Sequence, residues 1–192
     1  MTERELPEPT QRLFFALWPA EGPRQALARA SARAARSSGG RAVPARNLHV
    51  TLAFLGSVPR RRVPELRRIA QHAAAACARE APLALHFERL EFWPRQQILC
   101  ALAAEEIPAA SALAAVLKDT AAAAGFTPDL KPFRAHVTVA RKSTQAPRRY
   151  TWRELVWRFD GFALIDSRTE PEGPVYSVVD SYSLVKSEKP HE

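Results

Sequence analysis

Two short stretches constrain this chain more than any other feature: LHVTLAFLG, from Leu48 to Gly56, and RAHVTVAR, from Arg134 to Arg141. Each alternates polar and apolar residues with period two, the pattern of a half-buried β-strand. Such a strand sends His49 and Thr51 to one face and Val50 and Leu52 to the other. In the second copy His136 and Thr138 share a face, with Val137 and Val139 opposite. The chain has five histidines, and about a quarter of one His-x-Thr match is expected by chance at this composition. Both copies read His-Val-Thr-aliphatic-Ala, and both follow a helical pattern. Two strands that deliver matched imidazole and hydroxyl groups to one site explain this better than accident.

The rest of the chain supports a duplicated unit. RLFFALWP (Arg12–Pro19) reads as a strand ended by proline. The Ala/Arg-rich run from Glu21 reads as a helix, with Pro23 in its first turn and Gly39–Gly40 as its stop. Val63, Leu66, Ile69 and Ala73 form one face of a second helix. LALHFERLEFW and QQILCALAA read as strands joined by a turn at Trp93–Gln96, and a third helix ends at Gly125. LVWRFDGFALIDSR and PVYSVVDSYSLVK read as a final strand pair. A helix followed by a His-x-Thr strand thus occurs twice, with His49 and His136 87 positions apart. No Gly/Ser-rich or charged linker divides the chain. The expected architecture is α+β: a bilobal duplicated unit with two largely antiparallel sheets lining a central cleft and helices packed outside. A single domain of 192 residues is expected, its ordered core running from about residue 12 to 186 with interleaved lobes. Pro7, Pro9 and Pro190 mark frayed ends.

Composition narrows the partners. The net charge of +8 is carried by an excess of arginine, whose planar fork binds phosphate in bidentate fashion and favours a polyanion. A GC-rich genome and solvated helix faces account for the same bias, so charge alone does not decide. No apolar run reaches transmembrane length, and the start MTERELPEPTQ is polar and acidic, unlike a signal peptide. A cytoplasmic protein that acts as a monomer is expected. Cys77 and Cys100 lack CxxC spacing and read as reduced, buried thiols.

Two imidazoles facing each other across a cleft can serve as general base and general acid near neutral pH. The hydroxyls beside them can donate to the non-bridging oxygens of a phosphate. This set suits hydrolysis of a phosphodiester. A metal site fits poorly: the spacing is His-x-Thr rather than His-x-His, and neither motif contains Asp, Glu or Cys to complete a ligand set. Neither a metal nor another cofactor is expected.

Taken together, NLHVTLAFLG, PFRAHVTVAR and RLFFALWP resemble the 2H phosphoesterase superfamily, and within it the RNA 2′,3′-cyclic phosphodiesterases, also called 2′-5′ RNA ligase-like proteins. The resemblance runs from about Arg12 to Lys186. It implies the same bilobal fold with pseudo-twofold symmetry. It also implies an activity: opening of RNA 2′,3′-cyclic phosphate ends to 2′-phosphomonoesters, with 2′-5′ ligation as the reverse reaction. His49 would then protonate the leaving oxygen, His136 would activate water, and Thr51 and Thr138 would hold the phosphate. The local sequence is too symmetric to assign donor and acceptor by itself.

Phe54 and Arg141 each lie five residues after a histidine. An aromatic ring and an arginine plane both stack on nucleobases, so the pair can sandwich a base. Strict alternation turns both away from the histidine face; they reach the cleft only if each strand ends or bulges there. Arg46 and Arg134, just upstream of the motifs, read as surface arginines able to steer phosphates. Phe14 and Phe15 read as core, and no catalytic role is expected for His72, His86 or His191. Two other readings stay open: a hydrolase of small cyclic nucleotides or 2′-5′ oligonucleotides, and a non-catalytic RNA-binding module, which would not need the histidine pair.

Overall fold

Period-two and period-3.6 patterning produces the elements expected from it, with one exception. The computed structural model describes residues 8–103, 107–148, 150–171 and 173–186; Pro7, Pro190 and His191 lie outside the described residues. In chain order the elements are β1 (Thr10–Leu17), α1 (Glu21–Ser37), β2 (Arg41–Ala42), β3 (Val50–Pro59), α2 (Val63–Ala76), β4 (Leu83–Trp93), β5 (Ile98–Ala103), α3 (Pro108–Ala123), β6 (His136–Arg141), β7 (Leu155–Phe159), β8 (Gly161–Glu170) and β9 (Gly173–Ser183).

The strands form two antiparallel sheets. One has the order β3-β1-β8-β9 and the other β2-β6-β5-β4-β7. Without the two-residue β2, the second sheet repeats the first: motif strand, its neighbour, then two more strands. Each motif strand pairs with the strand that precedes its helix, β3 with β1 across α1 and β6 with β5 across α3. The fold is α+β, and the repeat seen in sequence is a repeat of sheet topology.

β1 packs on both of its sides. Leu13, Phe15 and Leu17 enter a core shared by both sheets, which also holds Leu52, Leu99, Val137 and Trp157. Phe14 and Ala16 point the other way and pack with Ala163 and Ile165 in a second, smaller cluster. β1 is therefore buried on both faces. Each fully buried Leu or Phe contributes about 1.5–3 kcal/mol relative to an exposed one. The helices bury one stripe each: Leu27, Ser31, Ala34 and Ala35 in α1, and Ala110, Leu113, Ala114, Leu117 and Ala121 in α3. Gly125, at a φ of 78°, ends α3 in a Schellman motif. Its N–H donates to the Ala122 carbonyl and that of Phe126 to Ala121, as the left-handed residue after a helix permits.

The exception lies near the C-terminus. LVWRFDGFALIDSR is two strands, and they belong to different sheets: β7 pairs with β4, while β8 lies between β1 and β9. The chain crosses at Asp160–Gly161, where the Asp160 carbonyl accepts from the backbone of Leu184. A Cβ at residue 161 would collide with the Tyr182 carbonyl, so only glycine fits. Cys100 is buried as expected, whereas Cys77, at the end of α2, is only partly so; both are free thiols. No helix among the described residues is long and apolar enough to cross a membrane.

Candidate active site

His49 sits immediately before β3, at the end of a short 3₁₀ turn (Ala45–Asn47), and His136 is the first residue of β6. Both rings are held in the same way. The Nδ1 of His49 lies 2.7 Å from the Asn47 carbonyl, and that of His136 lies 2.8 Å from the Arg134 carbonyl. A carbonyl only accepts, so Nδ1 carries the proton in each ring and donates it to the residue two positions back. Nε2 is left with the lone pair in both. That of His49 accepts from the Thr51 hydroxyl at 3.1 Å; that of His136 has no hydrogen-bond partner among the described residues.

Both imidazoles are packed by aromatic rings. Trp18 stacks on His49 at a centroid distance of 5.6 Å, Phe14 lies at 4.9 Å and Tyr176 meets it edge-on at 5.2 Å. Trp93 covers His136 at 4.7 Å. Glu91 fixes Trp93 by accepting from its indole N–H at 2.8 Å and also accepts both ends of the Arg134 fork. On the first side, the buried Asn47 donates its amide to the Pro174 carbonyl at 2.7 Å. That bond ties the turn before His49 to the β8–β9 hairpin.

This enclosure sets the charge state. His49 keeps some surface open to the cleft, but burial among aromatic rings disfavours the imidazolium and lowers its pKa from 6.5 to about 4. The hydrogen bond to Asn47 opposes the shift; the positive field of Arg141 adds to it, as does that of His136 once it is protonated. His136 is lowered too, first by burial and further by the Arg134 charge, against the opposing bond to the Arg134 carbonyl. Both rings are therefore neutral in the empty cleft at pH 7, each with a lone pair on Nε2.

His49, Thr51, His136, Thr138 and Arg141 line one cleft of about 450 Å³. A second cavity of about 390 Å³ adjoins it and shares His49, Thr51, Arg141 and Tyr176, but not His136. Phe54 lines this second cavity. Phe54 and Arg141 get there by matching β-bulges. In β3, Thr51 pairs with Ala16 and Ala53 with Phe15, so Leu52 faces no residue of β1. In β6, Thr138 pairs with Cys100 and Ala140 with Leu99, so Val139 faces none of β5. Each extra residue is third after its histidine and resets the alternation. Phe54 returns to the face of Thr51, and Arg141 to that of Thr138.

Other residues are placed less as the sequence suggested. Phe15 is core, but Phe14, though only 3% exposed, packs on His49 and lines the second cavity. Arg46 lines the main cleft; Arg134 is engaged with Glu91. His72 is exposed on α2, and His86 is exposed and paired with Glu154. Sequence reasoning missed Tyr176 and Trp93, which come from segments with no motif, and gave no role to Asn47 and Trp18, which lie within NLHVTLAFLG and RLFFALWP. It also missed Arg12, whose guanidinium lies 4.8 Å from the Phe54 ring centre. Among the described residues, no three His, Cys, Asp or Glu side chains converge as a metal site would require.

Known proteins resemble this chain in sequence and in fold. The family model of the 2′-5′ RNA ligase superfamily matches residues 23–171. The chain is 32% identical over 181 residues to an RNA 2′,3′-cyclic phosphodiesterase of Thermus thermophilus, covering 90% of each protein. It is 31% identical over 158 residues to a protein of the same name from Escherichia coli, covering 80% of this chain and 86% of the other. Among solved structures, E. coli LigT complexed with 3′-AMP superposes with a TM-score of 0.77 at 26% identity, covering 93% of this chain and all of that one.

Proposed function

The chain belongs to the 2′-5′ RNA ligase superfamily, and on that premise we propose that it hydrolyses RNA 2′,3′-cyclic phosphate ends to 2′-phosphomonoesters by a two-histidine general acid/base mechanism. The activity named for the relatives in T. thermophilus and E. coli supports the reaction. One observation carries the mechanism: two imidazoles on one cleft, each with Nδ1–H committed to a carbonyl two residues back, so that each presents Nε2.

In this reading the cyclic phosphate lies between the two His/Thr pairs. Thr51 and Thr138 donate to its non-bridging oxygens, and the nucleoside extends into the cavity of Phe54 and Arg141. His136 Nε2 takes a proton from water as the water oxygen attacks phosphorus. His49 Nε2 delivers a proton to the departing 3′ oxygen. In-line displacement places these two groups on opposite sides of phosphorus, as the pseudo-symmetric strands allow. His49 is neutral in the empty cleft, so it must gain its proton with substrate. The negative phosphate supplies the field that favours this, and the Asn47 carbonyl, which accepts from Nδ1 in the neutral ring, goes on accepting from it in the charged one. Sulfur and carboxylate ligands are scarce here: Glu170 is the one carboxylate among the described lining residues. The donor set suits an anionic phosphate better than a metal ion, and the mechanism needs none.

The two sheets contribute one His/Thr pair each. We therefore treat residues 12–186 as a single bilobal unit, complete as a monomer, with the cytoplasm as its place of action on RNA ends. The test is incubation of the purified protein with a 2′,3′-cyclic mononucleotide and with cyclic-ended RNA in EDTA, followed by chromatography against authentic 2′- and 3′-monophosphates. The expected product is the 2′-phosphate, at a rate that chelation leaves unchanged. A dominant 3′-phosphate would reverse the orientation, and loss of activity in EDTA restored by Mg²⁺ or Mn²⁺ would end the metal-free reading.

A further inference from the structure

Each histidine of the cleft is backed by a tryptophan, and each tryptophan by an arginine. The Arg134 guanidinium lies 5.4 Å from the Trp93 ring centre, and Trp93 covers His136 at 4.7 Å. The Arg24 guanidinium lies 5.2 Å from the Trp18 ring centre, and Trp18 stacks on His49 at 5.6 Å with an interplanar angle of 27°. A cation over an aromatic face is attracted by the ring's quadrupole, so each arginine holds the ring that holds the imidazole. The two stacks differ in where the arginine comes from. Arg134 lies two residues before His136 and gives its own carbonyl to that ring. Arg24 comes from the start of α1 and is not among the residues that line either cavity.

Arg24 also has a second hold on His49. Successive carbonyls run through the 3₁₀ turn before that residue. Those of Pro44 and Ala45 accept from the N–H groups of Asn47 and Leu48, and that of Asn47 accepts from His49 Nδ1. Between them, the Arg46 carbonyl accepts from the Arg24 guanidinium at 2.8 Å. The end of a helical turn leaves carbonyls without partners of its own, and here a side chain of another helix fills one. A single guanidinium thus grips both the ring stacked on His49 and the turn whose next carbonyl fixes the tautomer of His49. The grip has a firm base. Trp157, buried in the core, donates its indole N–H to the Pro23 carbonyl at 3.2 Å, and Leu27, one turn further on, is fully buried.

The arrangement costs free energy. Burial lowers the Arg24 pKa, against the opposing field of Glu21. Its Nε is buried with no hydrogen-bond partner among the described residues, and a buried donor left unpaired is destabilising. Among the described residues no carboxylate pairs with Arg24 as Glu91 pairs with Arg134. A solvated lysine or glutamine would serve α1 as well, since all three have similar helix propensity. What Arg24 holds accounts for its placement.

We propose that Arg24 is a positioning residue for His49: through Trp18 and the Arg46 carbonyl it fixes the direction of Nε2, and so the transfer of a proton to the leaving oxygen. This rests on the hydrolytic reading above. Arg24 itself touches no reacting atom. Without its guanidinium, substrate binding and the activation of water by His136 should persist. The impaired step is the one in which the bond from phosphorus to the 3′ oxygen breaks and that oxygen takes the proton of His49 Nε2.

The experiment compares native protein with Arg24→Gln, which removes the charge over Trp18, and Arg24→Lys, which keeps the charge but not the fork. Steady-state kinetics are measured on 2′,3′-cyclic AMP and on a p-nitrophenyl phosphodiester, whose leaving group needs no proton. Nitrogen NMR of the histidines at neutral pH reports whether Nδ1 or Nε2 of His49 carries the proton. In Arg24→Gln, kcat on cyclic AMP should fall roughly tenfold or more, since a small misplacement of a reacting group is costly, with KM unchanged. Activity on the p-nitrophenyl ester should stay near native, and the share of His49 protonated on Nε2 should grow. Arg24→Lys should lie between native and Gln. Native kcat on both substrates would overturn the proposal, as would equal loss on both with the His49 tautomer unmoved, the mark of a merely structural residue of α1. If Arg24→Gln does not fold, the same two outcomes in Arg24→Lys overturn it. Equal loss on both substrates with a shifted tautomer would keep Arg24 as the residue that holds His49 and exchange the acid and base roles of the two histidines. Absence of cyclic AMP hydrolysis by the native protein would overturn the hydrolytic reading, and the tautomer shift alone would then decide whether Arg24 holds the ring.

Discussion

Leu52 and Val139 hold equivalent places in the two motif strands: each is third after its histidine, and neither faces a residue of the neighbouring strand. These bulges bring Phe54 and Arg141 to the cavity beside His49. Stacking a base between such groups is worth about 1–3 kcal/mol per base. Phe54→Ala and Arg141→Ala should each weaken use of a cyclic nucleotide by an amount in that range, and Phe54→Tyr should restore it. The product ratio should also drift from the 2′-phosphate, because stacking fixes which oxygen faces His49. Steady-state kinetics and product chromatography check this. If rate, affinity and ratio are all unchanged, the two residues do not hold the base.

His49→Ala and His136→Ala should each lower turnover by about 10²–10⁴, the usual cost of losing a general acid or base. Their roles separate with a leaving group that needs no proton. On a p-nitrophenyl phosphodiester, His49→Ala should recover most of its activity and His136→Ala should not. The opposite pattern would exchange the acid and the base, and equal recovery by both would remove the assignment.

Much of this site was legible because period-two alternation is a strong local signal: it gave the shared face of His49 with Thr51 and of His136 with Thr138. The bulges were not, since Leu52 and Val139 are ordinary strand residues and no Gly or Pro marks them. The Asp160–Gly161 dipeptide was a readable break, a frequent turn signal, yet the apolar residues on both sides suggested one continuous strand. The packing around the histidines is non-local. Trp93 and Glu91 reach His136 from β4, and Tyr176 reaches His49 from β9. Charge and aromatic content in those strands say nothing of the partner until the sheets are assembled.

Glu91 is not among the residues that line the cleft and forms no hydrogen bond with His136, yet it holds both groups that position the ring, Trp93 and Arg134. Glu91→Gln keeps an acceptor for the indole but loses the charge that balances Arg134, a charge that lowers the His136 pKa. Glu91→Ala loses both. We expect kcat to fall roughly tenfold or more for the alanine variant, since small misplacement of a reacting group is costly, with KM little changed. The shoulder of the pH–rate profile that reports the His136 titration should respond to Gln as well as Ala. A purely structural role would lower stability without moving that shoulder.

Lowered histidine pKa values link stability to pH. Between 6.5 and about 4 the unfolded chain binds a proton at residue 49 that the folded protein does not. The stability due to a neutral His49 is therefore present in full above pH 6.5 and is lost as pH falls towards 4; His136 acts in the same direction. Thermal unfolding should show this decline, and His49→Gln should reduce it. Sulfate, whose charge is constant over the range, should stabilise the native protein more at pH 5 than at pH 8. An equal acid decline in native and variant protein would refute the linkage.

The same shifts set the pH dependence of catalysis. Under the proposed roles, productive binding by the free protein needs a protonated His49 and a neutral His136, so kcat/KM should peak on the acid side of 6.5, where the first is not yet scarce. Once an anionic substrate is bound, its charge offsets the field of Arg141 and raises the His49 pKa. The maximum of kcat should therefore lie at higher pH than that of kcat/KM. Arg141→Gln removes one of the charges that hold His49 down, so its kcat/KM profile should move to higher pH even as its affinity falls. Measuring both profiles for native protein and Arg141→Gln on one cyclic mononucleotide is sufficient. Superimposable kcat and kcat/KM profiles, or an Arg141→Gln profile shifted towards acid, would show that proton uptake at His49 is not coupled to substrate binding.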